Sequence, residues 1–225
     1  MRGEVSPEAC VLAPCAWLAK IRDWTEDQAM TLAFNKMGAP GDGVLTGQLL
    51  IAMPAMDTPA FVQTVIYMCA HSPEGAMGLV VNRPLSAPRF GALLQQLDVT
   101  PAPPRRQIEL CRGGPVEEAR GFVLHTADWT GDGTLRVDDN LALTASLDVL
   151  KAIADGEGPA RGLLALGYAG WGPGQLDQEI QQNAWLSAPA TLDLVFDPDH
   201  DTKWRRAFAS LRVDPALLSS AAGHA

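Results

Sequence analysis

The apolar positions take on a regular pattern near Leu45. Thr46 to Met53 is a mostly apolar run leading into the turn Pro54-Ala55-Met56-Asp57, and it predicts a strand. Phe61 to Ala70, rich in β-branched and aromatic residues, predicts a second, buried strand. His71-Ser72-Pro73-Glu74-Gly75 supplies turn residues, and Ala76 to Asn82 predicts a third strand joined to the second as a hairpin. The period then changes. Phe90, Leu93, Leu94 and Leu97 recur at i, i+3, i+4 and i+7, which predicts a helix over Arg89 to Leu97, ended by Pro101 to Pro104.

Gln107 to Cys111 and Gly121 to His125 predict short strands on either side of a Gly113-Gly114-Pro115 turn. Asp128 to Asp139 reads as a polar loop. Ser146 is placed to cap a helix carrying Leu147, Leu150 and Ile153, with Gly156 as its stop. Leu163 to Gly167 predicts a buried strand, followed by a glycine-rich loop, a helix over Gln175 to Ala184 and a strand over Leu192 to Phe196. A last helix starts near Asp199 or Asp201, with Trp204, Ala207, Phe208 and Leu211 on one face. The tail after Pro215 is small and polar and is expected to fray.

Neither a repeat nor a linker interrupts residues 45–214, so the pattern predicts one compact domain of mixed type over 41–214, with the helices scattered rather than strictly alternating. Residues 1–40 read as a variable extension and 215–225 as a tail. Met30 and Met37 are alternative starts, and removing the residues before Met37 is expected to leave stability unchanged.

Composition narrows the function classes. A chain of 24.0 kDa with 47% hydrophobic residues buries roughly 70% of its unfolded surface, enough for a substantial core. Seventeen Lys+Arg against 26 Asp+Glu give a net charge of −9, which disfavours phosphate backbones and anionic lipid. No apolar run approaches the ~20 residues of a membrane span. The patch Cys10 to Leu18 has Arg2, Glu4 and Glu8 before it and Lys20, Arg22 and Asp23 after it, unlike a secretory signal. A cytoplasmic location is therefore expected. Cysteines at 10, 15, 69 and 111 form no dense framework, which suits reduced thiols; Cys10 and Cys15 lack the matching pair a zinc site needs.

Candidate chemistry sits in three places. Gly167 to Leu176 lies between a predicted strand and a helix, where phosphate loops also sit, but no Lys-Ser or Lys-Thr follows. Asp177 and Glu179 would face an incoming phosphate. The segment reads first as a structural corner covered by Trp171. Its exposed edge, with Tyr168, Trp171, Gln175 and Glu179, is the candidate surface for a peptide or neutral ligand. Cys69 and His71 are two apart and are expected to share a strand face, which would activate a thiol or hold half a metal site, with His125 and Asp128 as further ligands. No sharper catalytic motif accompanies them, so core and turn roles come first and neither metal nor cofactor is expected. Asn82-Arg83-Pro84 ends a strand, and Arg83 can anchor a carboxylate bidentately, inside the protein or on a ligand.

Several segments match a known pattern in order and spacing. They are Thr46 to Pro54, Phe61 to Tyr67, Gly75 to Pro84, Gly113 to Val116, Gly121 to His125, Gly167 to Trp171 and Gln175 to Ile180, running on to Asn183-Ala184-Trp185-Leu186. Over about 45–208 the chain resembles the bacterial YqgE/AlgH family; Asp177 stands where Glu is common. The resemblance implies an α+β fold with a bifurcated mixed sheet, part of it curled into a small barrel and surrounded by helices. It brings no established catalytic residue. Some similar proteins carry the label of transcriptional regulator, which implies at most an indirect role here, because the chain has no helix-turn-helix and no basic face.

The leading expectation is a cytosolic binding or regulatory module whose partner is a protein, a peptide or a small neutral ligand. An enzyme using Cys69 or His71 with a carboxylate ranks second, and direct DNA binding third. The basic pairs Arg105-Arg106 and Arg205-Arg206 are too small for a nucleic-acid stripe. Titration of labelled, operator-length duplex DNA at low salt should show no nanomolar binding with a steep salt slope; such binding would revive the regulator reading.

Overall fold

The computed structural model describes residues 44–101 and 103–218. The expected extension over 1–40, with Cys10 and Cys15, lies outside the described residues. Nine strands run in chain order: β1 (Gln48–Ala52), β2 (Val65–Ser72), β3 (Gly75–Val80), β4 (Glu109–Arg112), β5 (Val116–Thr126), β6 (Thr134–Arg136), β7 (Leu141–Thr144), β8 (Gly162–Trp171) and β9 (Trp185–Pro189). The helices are α1 (Phe90–Gln96), α2 (Leu147–Asp155), α3 (Gln175–Gln181), α4 (Leu192–Val195) and α5 (His200–Ser210).

The strands form a single sheet of order β6-β7-β5-β8-β3-β2-β1-β9, with β4 attached to β8 outside that path. β8 causes the bifurcation. Its first part pairs with β4 in parallel up to Leu166 and with β5 antiparallel up to Tyr168, the β5 register shifting between the two. From Ala169 to Trp171 it pairs with β3 instead. The change happens at Gly167, which has φ +72°, and a Cβ there would lie 2.6 Å from the Gly114 carbonyl oxygen. A Cβ on Gly114 would lie 2.1 Å from the Tyr168 carbonyl carbon. Only glycine permits so close a crossing of two backbones.

The sheet curls into a half-barrel flanked by helices, as the resemblance implied. Its concave side holds Leu49, Ile51, Tyr67, Leu79, Phe122 and Leu124, closed by Trp204, Ala207 and Phe208 of α5. α1 and α2 cover the opposite face of β5 and β8 through Phe90, Leu93, Leu150 and Ile153, which meet Val123 and Leu164. α5 starts at the expected acid: the Asp199 side chain accepts from the Thr202 N–H.

Several predicted elements differ. β2 starts at Val65 rather than Phe61, because Gln63 takes φ 52° and the backbone turns just before the strand. It then runs on to Ser72, leaving Pro73-Glu74 as the turn. The polar stretch to Asp139 contains β6, and β7 follows it. The glycine-rich segment expected to be a loop is strand as far as Trp171. Leu192 to Val195 is helical rather than extended: Thr191 caps α4 by accepting from the Leu194 N–H, and in so short a segment Leu192, Leu194 and Phe196 fit a strand period as well as Leu192, Val195 and Phe196 fit a helix period. The edge strand beside β1 is β9, which begins directly after the span predicted as helix and before the one predicted as strand. Order continues past 214 as a 3₁₀ turn over Pro215–Leu217, capped by Asp214.

Candidate functional site

The third predicted strand ends in a segment that folds over β4. Asn82 fastens it: its Oδ1 accepts from the Val65 N–H at 2.8 Å, and its Nδ2 donates to the Gln63 carbonyl at 2.9 Å. Pro84 then bridges Cys111 in antiparallel fashion, and the Arg112 N–H donates to the Arg83 carbonyl at 2.8 Å. Arg83 and Arg112 thus face each other directly, one on each chain segment. Like charges so placed repel. Arg83 donates to the Val62 carbonyl; among the described residues neither guanidinium forms an ion pair, and the Arg112 side chain has no hydrogen bond. Both line a cleft of about 490 Å³, together with Asn82, Gly114, Glu118 and Asp201.

The wall carrying Asp201 is fixed from behind. Lys203, two residues later on α5, is fully buried. Its Nζ donates to the Val81 carbonyl at 2.8 Å and the Val195 carbonyl at 2.9 Å. Burial lowers its pKa to about 8. The ammonium therefore pins α5 to the end of β3, one residue before Asn82.

A second cluster lies at the end of β8. Trp171 and Trp185 are both buried, and both indole N–H groups donate to Oε2 of Glu179, at 2.9 and 2.8 Å. Gln175 donates to the other oxygen, Oε1, at 2.8 Å and accepts from the Gly172 N–H. Phe61 stacks on Trp171 with centroids 6.5 Å apart and meets Trp185 edge-on at 5.5 Å. Trp171, Gln175 and Glu179 are thus brought together, but as an internal brace whose carboxylate already accepts three hydrogen bonds. Tyr168 is elsewhere, partly buried with its ring edge-on to Phe122.

Cys69 and His71 do not share a face. A β-bulge between Met68 and Ala70 shifts the register, so Cys69 and Ala70 both point into the half-barrel. His71 falls on the other side, opposite Ala76, with Nε2 3.5 Å from Asp177 Oδ1. One inserted residue reverses the alternation that the spacing assumed. Burial, aided by the Asp138 carboxylate, pushes the Cys69 thiol far up; burial also raises Cys111 to about 12. Both thiols stay protonated at neutral pH.

His125 is a core residue. Its Nδ1–H donates to the Thr126 carbonyl, and its Nε2 accepts from the Thr144 hydroxyl, both at 2.8 Å. Burial lowers its pKa, which favours the neutral ring. Burial works to raise the Asp128 pKa, but the Thr126 hydroxyl and the Ala160 N–H outweigh it and hold the carboxylate below its ordinary value. Among the described residues no group of three or more His, Cys, Asp or Glu is placed to hold a metal ion.

Residues 49–216 match the family model described as AlgH-like, DUF179. The chain belongs to the AlgH-like family. It is 55% identical over 183 residues to a UPF0301 protein of Gluconobacter oxydans, covering 80% of this chain and 98% of that protein. A UPF0301 protein of Rhodospirillum rubrum is 54% identical over 184 residues, covering 82% and 96%. The solution structure of the AlgH protein from Pseudomonas aeruginosa superposes with a TM-score of 0.67 at 44% identity, over 84% of this chain and 99% of that one. A crystal structure from Corynebacterium diphtheriae, 24% identical over 76% of this chain and 88% of that one, has a TM-score of 0.56 and shares the fold. The matched span of this AlgH-like protein contains every polar residue of the Arg83 cleft. No helix of the described residues is long and apolar enough to cross a membrane.

Arg112, Glu118, Asp201 and Lys203 escaped sequence reading. Each is an ordinary charged residue in its own segment, and only the Pro84 to Cys111 bridge and the packing of α5 assemble them. Asn82-Arg83-Pro84 was the one local signal.

Proposed function

We propose that this AlgH-like protein is a binding module of the cytoplasm, and that its cleft receives an anionic group of the ligand, a carboxylate or a phosphate, between Arg83 and Arg112. The observation behind this reading is that Arg83 and Arg112, on facing backbone positions, line one cleft and neither forms an ion pair among the described residues. An anion between them would accept charge-assisted hydrogen bonds from both forks and cancel their repulsion. The volume, about 490 Å³, falls in the range of roughly 300–1,000 Å³ common to small-ligand sites. Two protonated thiols, and Cys69 and His71 on opposite faces, favour binding over catalysis by that pair. Any effect on gene expression would run through a bound partner, in keeping with the net charge of −9.

The test is NMR titration of the full chain with acetate and, separately, inorganic phosphate at low ionic strength. At least one anion should shift the backbone amides of Arg83, Arg112 and Gly114. Arg83→Ala and Arg112→Ala should each weaken that binding by about 10- to 100-fold, the usual size of a hydrogen bond to a charged group. Arg112→Ala should also leave the melting temperature unchanged or raised, because it relieves repulsion in the free protein. Absence of cleft shifts, or unaltered affinity in both variants, would sink the reading.

A further inference from the structure

We infer that the ligand of this cleft is a zwitterion of the amino-acid or short-peptide class, its carboxylate held by Arg83 and Arg112 and its ammonium by Asp201 and Glu118. The inference rests on the anion-binding reading and adds the opposite charge. Two guanidinium groups and two carboxylates line one cavity. Even so, none of the ion pairs among the described residues joins Arg83 or Arg112 to Glu118 or Asp201.

Each of these charges is carried by a separately anchored element. Arg83 is tied to the Val62 carbonyl, and Arg112 sits on β4 opposite it. Glu118 sits on β5, in the stretch between Val116 and Gly121 where the register with β8 shifts. Asp201 rides on α5, pinned by Lys203 to the Val81 and Val195 carbonyls. Exposed side chains of opposite sign around one cavity would ordinarily pair; here, among the described residues, they do not, and each sign is carried on a different element. A bound group with charge of one sign only would satisfy half of the lining and be repelled by the rest. A molecule with both signs, net neutral like the cleft, satisfies all of it.

The experiment compares three matched pools of dipeptides, read by the amide shifts of Arg83, Arg112, Gly114 and Asp201 in the full chain. The first pool has both termini free, the second is N-acetylated and keeps only the carboxylate, and the third is C-amidated and keeps only the ammonium. The free pool should bind about three- to fivefold more tightly than the acetylated pool, the scale of a solvent-exposed ion pair, and the amidated pool should bind most weakly. Asp201→Asn with Glu118→Gln should abolish the advantage of the free pool and bind the acetylated pool at least as tightly as the parent does, because the carboxylates that repel its single negative charge are gone. If the acetylated pool binds as well as the free one, or the advantage survives in that double variant, the zwitterion inference fails and the anion site stands. Shifts with acetate or phosphate but with no pool likewise overturn the zwitterion and leave the anion site in place. Tightest binding by the amidated pool, or no shift with any probe, overturns both.

Discussion

Replacing Trp171 by alanine should destabilise the protein by about 3–5 kcal/mol, the usual cost of removing a large buried aromatic ring. Trp171 is only 6% exposed and sits where the second half of β8 meets β3. Its ring packs against both Phe61 and Trp185, which also touch each other, and its N–H is one of three donors on Glu179. The alanine variant loses both aromatic contacts and opens a void beside Leu176 and Ala169. Glu179→Ala attacks the same brace differently. It keeps the rings but leaves two buried indole N–H groups without an acceptor, so a loss of about 2 kcal/mol or more is expected. Urea unfolding of both variants checks this. A midpoint for Trp171→Ala equal to the parent's would show that the ring serves a surface role, and attention would move to the Tyr168–Trp171 strand as a contact face.

The contribution of Lys203 to stability should rise between pH 8 and 9. The native pKa is lowered from 10.5 to about 8, mainly by burial. Between these values the unfolded chain binds more protons than the native one, so unfolding free energy increases with pH. This contribution is fully present above the unfolded pKa and is lost as pH falls through the native one. The slope should approach about 1.4 kcal/mol per pH unit, and the whole effect about 3 kcal/mol. Buried acids act in the opposite sense at higher pH. Cys111, raised from 9.0 to about 12, contributes stability below pH 9 that is lost as pH rises through its native value, and Cys69 and Tyr67 shift in the same direction. Part of their loss already falls between pH 8 and 9, so the Lys203 contribution is read as a difference between parent and variant.

Lys203→Met isolates the effect, since it keeps the length of the side chain and removes the titrating group. Urea unfolding of parent and variant at half-unit steps should show their difference changing by about 1 kcal/mol in the parent's favour from pH 8 to 9. A difference independent of pH would show that the ammonium is not penalised by its burial, and the account of how α5 is pinned would need revision.

Helices α1, α2 and α5 were legible because their signals are local. Phe90, Leu93 and Leu94 mark one face, Gly156 supplies a left-handed stop with φ 83°, and Asp199 caps its own helix. The strand pattern failed where a short segment fits both periods, at Leu192 to Val195, and where partners are remote, at β6, β7 and the end of β8. The candidate site follows the same rule. Asn82-Arg83-Pro84 stood out as a strand-ending motif, whereas Arg112 has no local mark until the Pro84 to Cys111 bridge sets it opposite Arg83. A spacing of two suggested one face for Cys69 and His71, and a bulge that no residue in the strand announces separates them.

What the sequence by itself determined is the set of elements with a repeating apolar face, the acidic balance of −9 and membership of the AlgH-like family. These depend on neighbours a few residues apart, or on the order of whole segments. The tertiary structure alone decided where β8 changes partner, which face each β2 residue takes after the bulge, and which charges meet in the cleft. Those outcomes depend on backbone hydrogen bonds and packing between distant segments, such as Lys203 on the Val81 carbonyl, and a one-residue shift in any of them moves a side chain to the opposite face.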